Sequence, residues 1–397
     1  MKRRIIMFFA VIVTVFMILS ALPLAVPDFP QGAGYEDFFL KKTGQVANIT
    51  ASDADVAVTA QKSVLIEAGS GNILFGSNER GKAGMASTTK IMTALVVLNT
   101  LPTDTVVTVP KEAVGVEGSS VHLEEGEKLT VEELLYGLLL ESGNDCAVAL
   151  AFACTGSYEK FMQKMNDTAV AMGITDTNFT NPHGLPDPDH YTSAYSLATI
   201  TAEALKNDVF RRIVSTKNIC ISRGGEKNMR CLTNHNRLLN CYDGVIGVKT
   251  GYTKSTGRCL VSAAERGGVR LIAVTLNDRN DWTSHKNMLD YGFSMYERIQ
   301  LAAENSVSVQ VPVTGGRAPF VNAVNKEAAY SVVLKGSDVF ERVITPHFLY
   351  APVRSGDIVG YIEYYNSDGV LFYRLCLVAT EDVEIKRLSF FEKLIKD

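Results

Sequence analysis

Strand patterns on both sides of a helical region are the sequence feature that most constrains the fold. Residues 63–75 contain two apolar runs around a Gly-Ser-Gly-Asn turn, which is typical of a β-hairpin. Residues 244–276 again favour strands, and Gly267 and Gly268 join the last two of them. Between these stretches apolar residues recur at helical spacing, as in 130–140, where Thr130 and Glu133 predict a capping box. A further helix is predicted over 283–300, after the strands. The sequence therefore predicts an α+β fold in which helices flank one antiparallel sheet.

The N-terminal part of the chain differs from this central region. Residues 1–25 place a basic cluster before an apolar run, which is typical of an export signal or of an N-terminal membrane anchor. Residues 26–60 are rich in proline, glycine and small polar residues, and we interpret them as a linker outside the fold. We therefore expect the α+β domain to span 61–303 and the protein to be exported.

The C-terminal part predicts a second, smaller domain. Residues 304–383 contain short alternating segments separated by glycine, proline or Asn-Ser-Asp-Gly, which favours an all-β domain. Residues 384–397 are amphipathic, and they either lie at a membrane surface or pack against the β-domain. The 397-residue chain has a formal net charge of −4 and no long run of lysines or arginines, which argues against a nucleic-acid partner.

Ser87 and Lys90 lie at the predicted start of a buried helix, since Ile91 to Leu98 follow with helical apolar spacing. Residues three apart share one face of a helix, so the Lys90 amine lies beside the Ser87 hydroxyl. This arrangement can activate a serine nucleophile without a histidine. On their own, however, these two residues are more often a helix cap followed by a surface lysine.

Two further motifs follow along the chain, the first at a corner between two predicted helices and the second on a predicted strand. They are Ser142-Gly143-Asn144 and Lys249-Thr250-Gly251. Together with Ser87 and Lys90 they resemble the signature of low-molecular-mass penicillin-binding proteins that act as D-alanyl-D-alanine carboxypeptidases. The resemblance covers roughly residues 60–300 and the β-rich tail, and it includes Asn178–Leu185, His190–Ala194, Gly247–Thr253 and Leu289–Phe293.

The resemblance implies that 61–303 form a catalytic domain. Ser87 would attack the carbonyl between two D-alanines and form an acyl-enzyme, which water then hydrolyses. Lys90 would be the base if it is neutral, and burial together with the positive charge of Lys249 would lower its pKa. Ser142 would relay a proton to the leaving amine, and Asn144 would donate to the amide carbonyl of the substrate.

The resemblance also implies how the substrate is bound. The backbone amides of Ser87 and Tyr252 would hold the oxyanion, and Gly251 would let the strand approach the substrate closely. The residues expected to contact the terminal carboxylate are Lys249, Thr250, Thr253 and Arg279. The implied partners are peptidoglycan stem peptides ending in D-Ala-D-Ala and β-lactam antibiotics as covalent inhibitors. The implied location is the cell wall, at the outer face of the cytoplasmic membrane.

Two other functions remain open at this point. A β-lactamase or esterase on the same site would need a carboxylate that speeds deacylation. The nearest match to the Glu-x-x-Leu-Asn motif runs from Glu203 to Asn207, with Lys206 in place of the leucine. A non-catalytic peptidoglycan-binding protein is the other alternative, although such a protein has no need of a neutral lysine beside a serine.

Histidines and cysteines give weaker signals. His183 and His190, with Asp187 and Asp189, are compatible with a metal site, but we interpret them as part of a proline-rich loop. We therefore predict no metal and no cofactor. Among the seven cysteines, Cys220 and Cys231 flank a turn symmetrically and either form a cross-strand disulfide or stay free; Cys146 and Cys154 are expected in the core.

Overall fold

The computed structural model describes residues 35–43, 56–222 and 229–387. They form two compact units. The larger unit comprises the described residues between 56 and 299 together with 331–337. The other, called the C-terminal unit here, comprises 35–43, 300–330 and 338–387. The predicted export signal, and residues 388–397 of the amphipathic segment, lie outside the described residues. None of the helices in the described part of the chain combines the length and the apolar character that a transmembrane span requires.

Within these residues the helices and strands have the following bounds. The helices are α1 (Lys90–Leu98), α2 (Val131–Leu139), α3 (Asn144–Thr155), α4 (Tyr158–Ala171), α5 (Ala194–Ala204), α6 (Asp208–Ser215), α7 (Leu238–Cys241) and α8 (Asp281–Met295). The strands are β1 (Tyr35–Thr43), β2 (Lys62–Glu67), β3 (Ile73–Ser77), β4 (Val106–Thr108), β5 (Lys128–Thr130), β6 (Asn218–Ser222), β7 (Met229–Thr233), β8 (Val245–Thr253), β9 (Gly257–Arg266), β10 (Val269–Leu276), β11 (Tyr296–Ala302), β12 (Ser308–Thr314), β13 (Phe320–Val324), β14 (Ala329–Leu334), β15 (Val339–Pro346), β16 (Leu349–Tyr350), β17 (Ile358–Tyr365) and β18 (Leu371–Ala379). Short 3₁₀ turns cover Ala86–Thr89 and Lys111–Ala113.

The larger unit is built on a five-stranded antiparallel sheet with the order β3-β2-β10-β9-β8. Both faces of the sheet are covered, as β2 shows. Val64 and Ile66 belong to the core formed with α1 to α6, whereas Leu65 belongs to a second cluster with Leu289 of α8. This alternation is the period-two geometry of a strand. The predicted α+β fold, with helices flanking one antiparallel sheet, is confirmed. Strand β8 lies at one edge of that sheet.

The C-terminal unit contains a seven-stranded sheet with the order β1-β15-β17-β18-β13-β12-β16. Its pairs are antiparallel except for β12 with β16. The predicted all-β second domain is therefore confirmed as a fold class. Strand β1 differs from the sequence prediction, because it falls in the supposed linker 26–60 and pairs with β15. Its partner is about 300 residues away along the chain, and no local sequence pattern reveals such a pairing.

Other local predictions can be compared directly with the structure. Helix α2 begins at the predicted capping box, in which Thr130 and Glu133 satisfy each other's backbone amides. The helix predicted over 283–300 ends earlier, at Met295, and the chain continues as strand β11. Helix α6 was not predicted. It begins because the side chain of Asn207 accepts hydrogen bonds from two backbone amides of its first turn.

Cys220 and Cys231 lie directly opposite each other on β6 and β7 and form a disulfide. Of the two alternatives left by the sequence, the cross-strand disulfide is therefore the one observed. Cys146 is buried in the core as expected, and Cys154 is partly buried at its margin.

Candidate active site

Ser87 lies in the 3₁₀ turn that leads into α1. The preceding residue, Ala86, has a φ of +48°, which is uncommon for a residue other than glycine. Two hydroxyls hold the turn in place: Thr88 Oγ1 donates to the carbonyl of Met85 at 2.6 Å, and Thr89 Oγ1 donates to that of Ala86 at 2.8 Å. The turn therefore fixes the position of Ser87 through its own backbone.

The Lys90 side chain is fully buried directly behind Ser87. Its Nζ donates to Asn144 Oδ1 at 2.7 Å and to the backbone carbonyl of His183 at 2.6 Å, and it lies 3.1 Å from Ser87 Oγ. Burial, followed by the nearby charge of Lys249, holds the pKa of Lys90 well below its usual range.

A neutral Lys90 amine would have two hydrogens and one lone pair. The two shorter contacts, to Asn144 and to the carbonyl of His183, take the two hydrogens. The lone pair is then left for the Ser87 hydroxyl, which becomes the donor. The three contacts thus orient Lys90 as an acceptor for the Ser87 proton.

The side chain of Asn144 forms hydrogen bonds within the protein that the sequence did not predict. Its Oδ1 accepts from Lys90, and its Nδ2 donates to the carbonyl of Glu117 at 2.5 Å. The side chain is buried and does not line the cleft described below. The contacts therefore give Asn144 a part in holding Lys90. They do not place its side chain in the cleft, where the sequence predicted a contact with substrate.

Ser142 has an unusual environment. It adopts a φ of +64° at the corner between α2 and α3, and its Oγ is buried without a hydrogen-bond partner among the described residues. A buried hydroxyl without a partner is unfavourable, so Ser142 Oγ is available to bond a substrate or to pass on a proton. It lines the same cleft as Ser87.

Strand β8 brings Lys249 and Gly251 to the nucleophile. Lys249 is buried, its Nζ donates to the carbonyl of Thr250 at 2.9 Å, and burial lowers its pKa to about 7, against an opposing effect of Glu141. A Cβ at position 251 would lie 3.0 Å from the amide nitrogen of Ser87. Glycine is therefore the residue that allows the strand edge to approach the Ser87 amide.

The cleft in front of Ser87 has a volume of about 330 Å³. Thr250, Gly251 and Tyr252 of β8, which the sequence predicted to bind substrate, form one of its walls. Thr253 does not line it. Its hydroxyl instead contacts Thr256 Oγ1 at 2.8 Å and accepts from the Thr256 amide at 3.0 Å within the β8–β9 turn.

Two arginines that the sequence reasoning missed, Arg237 and Arg258, line the cleft, whereas Arg279 is exposed and does not. Arg258 lies opposite Tyr252 across the β8–β9 hairpin and makes a bidentate ion pair with Asp281, at 2.9 and 3.0 Å. The hairpin register could have revealed this position, because it places the residue after Gly257 beside the strand that carries Lys249.

The loop after α4 supports the site from the other side. Asn181 closes it, since its Oδ1 accepts from the amide of Gly184 and its Nδ2 donates to the carbonyl of Leu185. His190 accepts from the Thr180 amide through Nδ1, so its Nε2 carries the proton and donates to Thr89 Oγ1 at 2.7 Å.

Burial is the main cause that lowers the pKa of both loop histidines, to about 3 for His183 and about 4 for His190. Both imidazoles are therefore neutral at physiological pH. No group of three or more potential metal ligands is assembled anywhere in the described residues.

Replacing Gly184 by alanine should disturb the nucleophile turn. Gly184 has a φ of +92°, and a Cβ there would lie only 1.9 Å from the carbonyl oxygen of Ala86. We expect a loss of more than about 2 kcal/mol in the free energy of unfolding, measured by urea denaturation. Gly173→Ala is the matched control, because Gly173 has a φ of +75° with nothing within 4 Å of its Cβ position. The control therefore measures only the cost of placing an alanine at a positive φ, which is about 1–2 kcal/mol. Equal losses in the two variants would contradict the close contact.

Comparisons with known proteins decide the family. Residues 47–280 match the family model described as D-alanyl-D-alanine carboxypeptidase. The chain belongs to this family. Residues 296–385 match a second model, the C-terminal domain of penicillin-binding protein 5. The sequence-based expectation of a serine-type D-alanyl-D-alanine carboxypeptidase of the penicillin-binding protein class is therefore confirmed.

Individual relatives of this carboxypeptidase family agree. The D-alanyl-D-alanine carboxypeptidase DacF of Bacillus subtilis is 34% identical over 344 residues, which cover 83% of this chain and 87% of that protein. Among solved structures, penicillin binding protein 5 from Haemophilus influenzae matches with a TM-score of 0.71 at 29% identity, covering 84% of this chain and all of that one. The Streptomyces K15 DD-transpeptidase matches with a TM-score of 0.56 at 35% identity, covering 60% of this chain and 98% of that one.

The glutamate considered for a β-lactamase lies elsewhere in this carboxypeptidase. Glu203 belongs to α5, where it pairs with Lys206 at 2.7 Å, and it does not line the cleft. Within the described residues, Asp281 is the only carboxylate that lines the cleft, and it is already paired with Arg258.

Proposed function

We propose that this protein removes the terminal D-alanine from peptidoglycan stem peptides that end in D-Ala-D-Ala, through an acyl-enzyme on Ser87. The observation that supports this most strongly is the environment of Lys90, which is buried, has a lowered pKa and directs its free lone pair at Ser87. A protein that only bound peptidoglycan would have no use for such an arrangement.

The steps follow from the positions of the side chains. Ser87 Oγ attacks the carbonyl between the two D-alanines while Lys90 takes its proton. Collapse of the tetrahedral intermediate breaks the C–N bond, and Ser142 relays to the leaving amine of D-alanine the proton that Lys90 took from Ser87, which leaves Lys90 neutral again. Water then attacks the ester, its proton returns through Lys90, and Ser87 is released with its hydroxyl restored. The amides of Ser87 and Tyr252 hold the oxyanion in both halves of the reaction.

Binding of the substrate carboxylate is assigned to positive and hydroxyl groups around the cleft. Lys249 and Thr250 are the predicted contacts that strand β8 brings to the site. Arg258 takes the role that the sequence prediction gave to Arg279, because Arg258 lines the cleft. The bidentate pair with Asp281 holds its guanidinium in place until a substrate carboxylate competes for it.

Replacing Arg258 by alanine tests this assignment. We expect kcat/KM for a D-Ala-D-Ala peptide to fall about 10- to 100-fold, because a hydrogen-bonded charge is lost from the carboxylate site. Most of the change should be in KM. The Arg279→Ala variant, assayed in parallel, distinguishes the two arginines, and a larger loss in that variant would overturn the assignment to Arg258.

The charge of Lys249 should set the alkaline side of the pH profile. Its pKa of about 7 lies below the usual value of 10.5, so Lys249 is positive below pH 7 and neutral above it. We therefore expect kcat/KM to fall as pH rises through about 7, since the attraction for the substrate carboxylate is lost. In the Lys249→Arg variant the guanidinium stays charged, and this alkaline limb should be absent. An unchanged limb in that variant would assign it to another group.

The function itself is tested by the release of D-alanine from an acylated peptide ending in D-Ala-D-Ala, with the peptide ending in D-Ala-L-Ala as control. We expect release from the first peptide and far less from the second. Incubation with penicillin distinguishes a carboxypeptidase from a β-lactamase. A carboxypeptidase should keep a long-lived penicilloyl adduct, whereas a β-lactamase should release it rapidly. Absence of D-alanine release would refute the proposal.

We further propose that the protein is exported by residues 1–25 and acts at the outer face of the cytoplasmic membrane. Residues 61–303 would form the catalytic domain and 304–383 the β-domain. The amphipathic sequence of 384–397 supports a contact with the membrane surface. Fractionation of cells that produce the full chain tests the export, and we expect the protein outside the cytoplasm. A chain truncated after residue 383 tests the membrane contact, and we expect this protein to be lost from the membrane fraction.

A further inference from the structure

Glu141 lies in the corner between α2 and α3, directly before Ser142, and has no role in the steps above. Both of its carboxylate oxygens have a neighbour. Oε1 accepts a hydrogen bond from the Thr233 amide at 2.6 Å, and Oε2 lies 3.3 Å from Nε2 of His235. His235 lines the same cleft as Ser142. The Glu141 side chain therefore joins the Ser142 corner to the end of β7 and the segment that follows it.

The β6–β7 hairpin, which carries Thr233, is itself held in place. Arg230 of β7 makes a bidentate ion pair with Glu127 at 3.0 and 3.2 Å, and both side chains are less than a tenth exposed. The disulfide described above links the two strands of the hairpin. Because the hairpin is held in these two ways, the Thr233 amide is a fixed donor for the Glu141 carboxylate.

Lys249 is the cation on which the charge of Glu141 acts. The lysine is buried, and its Nζ donates to the carbonyl of Thr250, a residue that lines the cleft. Burial lowers the pKa of Lys249 to about 7, and the negative charge of Glu141 opposes this shift. A nearby opposite charge favours the charged form of an amine. Glu141 therefore favours protonated Lys249, which is the form that attracts a substrate carboxylate.

The ionisable groups around Lys249 and the adjoining cleft come from several elements. They are Lys90 of α1, Glu141 of the corner, His235 and Arg237 before α7, Tyr252 of β8, Arg258 and Cys259 of β9, and Asp281 of α8. The Asp281 carboxylate is paired with Arg258 at 2.9 Å, so its charge is offset there. Glu141 is thus the carboxylate whose charge is directed at Lys249.

We propose that Glu141 is a positioning residue of the active site, which acts through its two neighbours Lys249 and Ser142. Its charge keeps Lys249 protonated for the substrate carboxylate. Its bond to the Thr233 amide holds the corner at which Ser142 adopts a φ of +64°. This inference rests on the proposed function, because it concerns the same reaction.

The Glu141→Gln variant tests the electrostatic role. Glutamine keeps an oxygen that accepts from the Thr233 amide but has no charge. Without that charge the pKa of Lys249 falls further, so the lysine becomes neutral at a lower pH. We expect the alkaline fall of kcat/KM to move about 0.5–1 pH unit lower, which is about a two- to fivefold loss at pH 7 and almost none at pH 5. A structural role alone would not move the profile.

The Glu141→Ala variant tests the second role, since it loses both the charge and the acceptor oxygen. The profile should move as in Glu141→Gln, and kcat should in addition be about three- to tenfold lower than in that variant, because Ser142 is no longer held in position. Glu203→Gln is the matched control. Glu203 also contacts a single cationic side chain but does not line the cleft, so this variant should keep the wild-type profile.

The double variant Glu141→Gln/Lys249→Arg shows which group carries the shift. Arginine stays charged, so the profile of the double variant should match that of Lys249→Arg alone. A shift that persists there would belong to another group, such as His235, and would overturn the inference. A Glu141→Gln profile that superimposes on the wild-type profile would overturn it too. Equal kcat values in Glu141→Ala and Glu141→Gln would refute the role through Ser142.

The same profiles are measured for the second-order rate constant of penicillin labelling, because penicillin also carries a carboxylate. Labelling counts the active sites as well, so a partly unfolded variant does not distort the comparison. A wild-type protein that is labelled but releases no D-alanine would refute the proposed function. The labelling profiles would then still support or overturn the role of Glu141.

Discussion

Replacing Ser87 by alanine is expected to abolish both covalent labelling by penicillin and the release of D-alanine. The rate with a D-Ala-D-Ala peptide should fall by at least about 10⁴-fold, because Ser87 carries the hydroxyl that Lys90 is placed to deprotonate. The labelling is measured by intact mass and the release by a coupled assay of D-alanine. The fold should survive, since Ser87 itself is not one of the hydroxyls that hold the turn.

The matched control for this substitution is Ser70→Ala. Ser70 is an exposed serine in the β2–β3 hairpin, and its hydroxyl accepts a hydrogen bond from the amide of Asn72. This variant should label and hydrolyse like the wild-type protein. If the Ser87→Ala protein still formed a penicilloyl adduct, another residue would have to be the nucleophile, and the assignment of the site would be wrong.

Replacing Lys90 should have the second-largest effect, and it separates two roles that a lysine could have. As the base, Lys90 must lose its proton; as a fixed positive charge, it must keep it. Arginine retains the charge but stays protonated in proteins. We therefore expect Lys90→Arg and Lys90→Met alike to lower the rate of acylation by penicillin by about 10²–10⁴-fold, the usual contribution of a general base.

The readout is the second-order rate constant of penicillin labelling, followed by mass spectrometry across a range of pH. Thermal unfolding identifies variants in which the larger guanidinium has disturbed the core around Asn144. If the Lys90→Arg protein is folded and labels at close to the wild-type rate, Lys90 acts through its charge, and the assignment of the base would fall.

Local sequence patterns predicted a large part of the fold. The capping box of α2 and the β2–β3 and β9–β10 hairpins are local features, which is why the sequence reveals them. The sequence did not predict strand pairs whose members are far apart along the chain, such as β1 with β15. The early end of α8 was also missed, because the residues after Met295 pair as a strand.

In the active site too, short local motifs were predicted and contacts between distant parts of the chain were not. Ser87, Lys90, Ser142 and Lys249 were recognisable because each belongs to a short motif with fixed spacing. The backbone carbonyl of His183, which orients Lys90, has no sequence signal, since every residue carries a carbonyl. Arg258 was missed for another reason. Its place in the cleft depends on the register of a hairpin rather than on its distance from a motif.

The most direct test of the central claim is to trap the acyl-enzyme formed from a true substrate. The wild-type protein is mixed with an acylated D-Ala-D-Ala peptide, quenched in acid within the first turnover, digested and mapped by mass spectrometry. We predict that the fragment containing Ser87 carries the peptide without its terminal alanine, and that this adduct decays as the shortened peptide appears. Release of D-alanine with no adduct at any time, or an adduct on a different residue, would contradict the account.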